Sequence, residues 1–290
     1  MSKHVTLNLD QVARVGFTPF MRAMGVEMSD RVRQAVVSLA AVLMVAGTLF
    51  GFGVIGTRVE ETSGGSLSAT ATLVAPASPA FSIWSVIYTG LIAYVIWQWL
   101  PANKESSRAR RIGWLAALSM VLNGAWLLVT QAGWLWASVA VIVSLVLSLG
   151  ELVRRLGTDP ATSMAEKVVV DGTFGLYLGW TSVATAANIT ATLVASGVNP
   201  QGVVAELLGV VVVAVAAGIG VLLAMKLGGR WAVAAAMGWG LSWIGVGRLA
   251  IAPESALVGG AAVAAALVVV AAAVLVRAQA NRLVPVHVRH

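Results

Sequence analysis

The sequence predicts an all-α fold, a polytopic membrane helix bundle of about eight transmembrane helices, and three observations lead there. The 290 residues are 59% apolar and only 11% charged, where a soluble domain averages about 45–50% and about 25%. Mean hydropathy is +0.88. Apolar stretches of about 20 residues, the length that crosses about 30 Å of hydrocarbon, recur along the chain. Basic residues gather on one side of those stretches. These features exclude a soluble enzyme, a disordered chain and a disulfide scaffold.

Eight stretches stand out in the sequence, at 35–56, 79–100, 112–130, 134–154, 169–195, 203–224, 231–251 and 256–277. They are continuous apolar runs, not the ten-residue alternating segments of a barrel, so each is read as a helix. An even number of spans puts both termini on one side. That side then holds 17 of the 19 Lys and Arg, among them Arg33, Arg108, Arg110, Arg155 and Arg230, and leaves Arg58 and Arg248 on the other. The positive-inside rule makes the basic side cytoplasmic and accounts for the net charge of +7 without nucleic acid. The expected location is a plasma or inner membrane. Residues 1–34 read as a cytoplasmic segment with no secretory signal pattern, and Met28 as a candidate start.

Between the first two spans lies the only long external loop, 57–78, rich in Gly, Ser, Thr and Ala and carrying Glu60 and Glu61. Loops of this length are either lids or slack connectors. By contrast, Gln131, Ala132 and Gly133 leave only a tight turn between the third and fourth spans.

The chain has eleven Trp but three Tyr. Trp97, Trp99, Trp114, Trp134, Trp136 and Trp231 fall at span ends, as an aromatic belt would. Trp84, Trp126, Trp180, Trp239 and Trp243 lie deeper. Polar partners accompany three of these at helical spacing: Trp84 with Tyr88, Asn123 with Trp126, and Trp180 with Ala184 and Asn188. Converging faces would line one pocket beneath the loop; alternatively the two Asn simply tie helices together. Glu206 and Arg248 are expected at the outer interface, paired or snorkelling. Asp171 is read as a cap for the fifth span. Gly175 and Gly179 form a small-xxx-small pair for helix packing or dimerisation.

Several chemistries lack their residues. Cysteine is absent and the three His, at 4, 287 and 290, lie in the tails, so neither a thiolate metal site nor an intramembrane haem ligand is available. No catalytic residue and no obligatory cofactor is predicted.

Three segments resemble the TspO/MBR family of tryptophan-rich sensory proteins and translocator proteins. Pro76-Ala77-Ser78-Pro79 followed by Phe81-Ser82-Ile83-Trp84-Ser85-Val86-Ile87-Tyr88 is similar to its proline-led second helix. Leu122-Asn123-Gly124-Ala125-Trp126 matches its third helix, and Tyr177-Leu178-Gly179-Trp180 through Ala184 and Asn188 its fifth. The adjacent prolines and following Trp of the family are loosened here to Pro76 and Pro79, and its sterol motif is missing after Asn188. The resemblance covers about 35–195 and implies a five-helix domain with loop 57–78 over a pocket, leaving 196–290 as three additional spans and a short tail. It further implies a flat hydrophobic ligand, porphyrin or another tetrapyrrole, at Trp84, Tyr88, Asn123, Trp126, Trp180, Ala184 and Asn188, and frequent homodimers. Transport of hydrophobic small molecules and porphyrin degradation are the alternative functions.

Overall fold

The computed structural model describes residues 9–282 apart from 52 and 56, with side chains from residue 30 onward apart from 281. The three His, Lys3 and Arg289 lie outside the described residues, as do the side chains of Arg14, Arg22 and Met28, the candidate start. Eight long helices are present among the described residues: α1 Leu9–Gly51, α2 Ile83–Trp99, α3 Ser107–Gln131, α4 Leu135–Gly157, α5 Thr173–Ala195, α6 Gly202–Leu227, α7 Trp231–Ala250 and α8 Ala256–Arg282. There is no strand among them. The first helix starts well ahead of the span expected at 35, and α5 is preceded by a helical turn, Met164–Glu166, and a π-helical segment, Lys167–Gly172.

Helices α1, α3, α4, α5 and α2 pack in that order around a ring, with α2 closing it against α1 and α5. Helix α7 lies along the outside of α5, and α8 joins α7 to α6. Close approach requires small residues. A Cβ on Gly47 would stand 2.9 Å from the Gly124 Cα, where α1 crosses α3. A Cβ on Gly179 would run into the Val233 carbonyl and stand 2.9 Å from the Ala236 Cβ, so the small pair on α5 serves the α5–α7 contact within the chain.

Six of the helical stretches are long and apolar enough to cross a membrane by themselves; α5 and α7 are not among these. Their burial explains the difference. Helix α5 buries Thr173, Tyr177, Trp180, Thr181, Ser182, Asn188 and Thr192 against neighbouring helices, and α7 buries four glycines and Arg248. Side chains that face protein need not be soluble in lipid, so hydropathy understates the innermost helices.

At the end opposite loop 57–78, ion pairs join the helices. Arg110 grips Asp30 at the start of the first span through Nε and Nη2, at 2.9 and 2.6 Å to Oδ2. Asp171 does not cap α5. It accepts from Arg108 Nη2 at 2.8 Å and from Arg230 Nη1 at 2.6 Å, linking α3 to the start of α7. Glu166 faces Arg108 Nη1 at 3.1 Å. Burial raises its carboxyl pKa, but hydrogen bonds from the Thr162 amide and hydroxyl and from Arg108 outweigh this and hold it below the usual range.

The belt reading needs one correction. Trp99, Trp114, Trp134, Trp136 and Trp231 are exposed, but Trp97 is buried and stacks on Tyr94 with centroids 6.1 Å apart. Replacing Gly179 with Leu is expected to destabilise the protein by about 1–3 kcal/mol through overpacking at the α5–α7 seam. A drop in the thermal midpoint on fluorescence-detected size exclusion checks this; an unchanged midpoint would mean the seam can open without cost.

Candidate ligand-binding site

Two prolines set up the site. Pro76 and Pro79 disfavour helix ahead of α2, and the chain enters it through a 3-10 turn, Ser78–Ser82. That turn places Phe81 one helical turn before Trp84, beside the aromatic face of α2. Trp84 stacks on Tyr88 (centroids 5.1 Å, planes 18° apart) and meets Tyr177 and Trp180 edge-on at 5.9 and 6.2 Å. Phe81 meets Trp180 edge-on at 5.6 Å. Such edge contacts fix ring positions beyond what area burial does.

All seven residues singled out from the sequence line one or another of three adjoining cavities, each bordered by both Phe81 and Trp126. The largest, about 400 Å³, is lined by Trp84, Tyr88 and Trp126 and roofed by Arg58, Val59 and Glu60. A second, about 30 Å³, lies among Trp84, Asn123, Trp126, Trp180 and Ala184. A third, about 50 Å³, has Trp126, Trp180, Ala184 and Asn188 as its floor and loop residues Ser66–Ser68, Ala71 and Thr72 above. Phe81 is the residue of the site that sequence reasoning missed; loop 57–78 was expected over the pocket, but none of its lining residues was singled out. For Phe81 the signal was present: it sits three residues before Trp84.

The two amides are already committed. Tyr88 donates to Asn123 Oδ1 at 3.1 Å. Trp126 Nε1 donates to Asn188 Oδ1 at 3.2 Å, and Asn188 Nδ2 donates to Ser138 Oγ at 3.0 Å. They tie α2 to α3, and α3 and α4 to α5, as polar groups between membrane helices do. The Trp180 indole, 1% exposed, is different: its N–H has no partner in the structure.

Loop 57–78 is held at both ends. Gln131 Nε2, in the α3–α4 turn, donates to the carbonyls of Phe50, at 3.2 Å, and Thr57. The far end is held by α7. Arg248 Nη2 donates to the Ala69 carbonyl at 2.9 Å, and Nη1 to the carbonyls of Thr72 and Pro253, each at 3.0 Å. The Ala77 amide donates to the Trp243 carbonyl at 3.2 Å, and Trp239 Nε1 to the Ala80 carbonyl at 2.9 Å. Arg248 is 0% exposed, which overturns its expected place at the water interface and its pairing with Glu206. Glu206 accepts instead from Ser255 Oγ at 2.7 Å. The guanidinium supplies several donors from one planar group to carbonyls that are otherwise sparsely served, the Thr72 carbonyl having besides it only the Ala75 amide at 3.3 Å. Trp239, unexplained by any motif, thereby gains a role at the entry to α2, where Trp243 contributes its main-chain carbonyl.

Fold and site together define a multi-pass helical membrane protein with an aromatic site beneath a fastened loop. A family model described as TSPO-like protein matches residues 34–275. The chain belongs to that family, and the match runs past the end of α5 through α6 and α7 into α8. No curated protein and no solved structure gives a significant match.

Arg248→Met would strand the Ala69 and Pro253 carbonyls, at about 1–3 kcal/mol for each group left buried and unpaired, and leave the Thr72 carbonyl only its bond from the Ala75 amide. Hydrogen exchange across residues 66–77 is expected to accelerate at least about tenfold, the equivalent of about 1.4 kcal/mol. Exchange unchanged in that segment would show that Arg248 does not fasten the loop.

Proposed function

We propose that the protein binds a flat hydrophobic ligand of the porphyrin or tetrapyrrole class in the intramembrane aromatic site, for sensing or trafficking. The observation that carries this reading is the cavity of about 400 Å³ lined by Trp84, Tyr88 and Trp126 and roofed by the loop. Its size falls in the range of about 300–1,000 Å³ typical of small-molecule sites, and its walls are mostly apolar and aromatic. Affinity would come from stacking and burial. A ligand reaching from this cavity into the two smaller adjoining ones would pass Asn123 and Asn188, and the unpartnered Trp180 N–H would there meet a polar edge of the ligand.

The decisive experiment titrates purified protein with protoporphyrin and follows the shift of the porphyrin absorbance. Trp126→Ala is expected to weaken binding at least about tenfold, since Trp126 borders all three cavities. Trp114→Phe, at an exposed position outside them, should leave affinity as it is. Equal affinity of wild type and Trp126→Ala would place any porphyrin elsewhere.

We further propose that the basic end of the bundle is cytoplasmic and the loop faces the opposite side. The 17-to-2 division of Lys and Arg across the eight expected spans supports this orientation. Because the chain has no cysteine, single-cysteine labelling reports topology without background. A membrane-impermeant maleimide applied to sealed cells should label Glu61→Cys in the loop and spare Glu105→Cys between α2 and α3. The reverse pattern would invert the protein.

A further inference from the structure

A second cavity, larger than the aromatic one at about 690 Å³, lies between α5 and α6 on the side of the loop. Leu73, Val194, Leu208 and Val212 contribute apolar wall. Its α6 flank includes Val203, Leu208 and Val211, all exposed, so it opens sideways onto the surface that lipid would cover. Two carboxylates line it: the half-buried Glu206 and the exposed Glu254. Neither has a cation within ion-pair distance among the described residues. Glu206 accepts one hydrogen bond, from Ser255 Oγ. Arg248 begins only a few residues before Glu254, yet its guanidinium is directed to the carbonyls of Ala69, Thr72 and Pro253. Thr72 adds an independent observation. It lines the same cavity, is 6% exposed, and its hydroxyl has no partner.

We propose that this groove binds a bilayer lipid with a primary ammonium head group. Carboxylates at the mouth of an apolar groove in a membrane call for a cation. A small soluble cation would leave the apolar walls unfilled. An anionic lipid would bring like charge against Glu206 and Glu254. A quaternary ammonium carries charge without N–H donors, whereas a primary ammonium brings three, enough to engage both carboxylates. The acyl chain lies along Leu208 and Val212, and the ester region meets the Thr72 hydroxyl. This binding does not depend on the porphyrin reading. The two sites adjoin, since Ala71 and Thr72 border this groove and the smaller cavity above Trp180.

The test uses the full chain, released from mixed bilayers and examined by native mass spectrometry for retained lipid. Phosphatidylethanolamine, phosphatidylcholine and phosphatidylglycerol with identical acyl chains are supplied in equal amounts. Retention of phosphatidylethanolamine is expected to exceed that of the other two by about tenfold. Glu206→Gln, an isosteric change, and Glu254→Gln, at an exposed position that cannot disturb the core, should each remove most of that preference. Val212→Trp should abolish retention whatever the head group, and Glu105→Gln, at the opposite end of the bundle, should change nothing. Equal retention of the three lipids, or a preference that survives both carboxylate substitutions, overturns the proposal. Binding of free dodecylamine without retention of phosphatidylethanolamine overturns the lipid assignment.

Discussion

A guanidinium at 0% exposure inside a membrane protein must replace the water it has lost, and Arg248 does so with carbonyls from segments far apart in sequence. The exchange works in both directions. The loop before α2 carries backbone acceptors at Ala69 and Thr72 that no regular element satisfies, and α7 carries a charge that nothing in lipid would tolerate. Bringing them together satisfies both. The loop can then lie against the bundle rather than extend from it, which is the precondition for a roof over Trp84, Trp126 and Trp180. Remove that interaction and the cavities below lose a wall, although every motif residue would still be present.

Helix α5 occupies a comparable position among the helices. One face supplies Tyr177, Trp180 and Asn188 to the site, and another, cleared by Gly175 and Gly179, receives α7. The helix that shapes the pocket is therefore the one to which the loop's anchor is docked. Asp171 secures the same relationship at the opposite end, where it joins Arg108 on α3 to Arg230 at the start of α7. With α5 and α7 fixed at both ends, the last three helices are structurally continuous with the site. The span of the family match, 34–275, accords with that continuity.

What the sequence disclosed follows from periodicity. Trp84 with Tyr88, Asn123 with Trp126 and Trp180 with Asn188 were legible because helical spacing puts each set on one face, and polar or aromatic residues on such a face in a membrane must face protein. The eight long helices were legible for the same reason, as continuous apolar runs. The loop's anchors were not. Arg248 lies 176 residues from Thr72, and a carbonyl acceptor leaves no mark in a side-chain pattern. Trp97 was misread because depth does not determine direction: three residues after Tyr94 it turns inward, while Trp99, two residues further, faces out. Asp171 was misread because helix-start position suggested a cap, while its partners came from α3 and α7.

The hydrogen bonds also change how the aromatic site would discriminate among ligands. From sequence, Asn123 and Asn188 stood out either as lining of a pocket or as ties between helices. In the structure both carbonyl oxygens accept from neighbouring side chains, Asn123 from Tyr88 and Asn188 from Trp126 and Ser138, and a ligand that displaced one of these donors would break an interhelical tie. Breaking such a tie strands a buried donor, at about 1–3 kcal/mol, more than one new hydrogen bond typically returns. Amide recognition that displaced these donors is therefore disfavoured. What is left is ring shape against Trp84, Tyr88 and Phe81, the fit beneath Arg58 to Glu60, and one unpaired indole N–H. A site of this kind accepts flat molecules by contour more than by functional group, and its selectivity would lie chiefly in how tightly the loop is fastened over them.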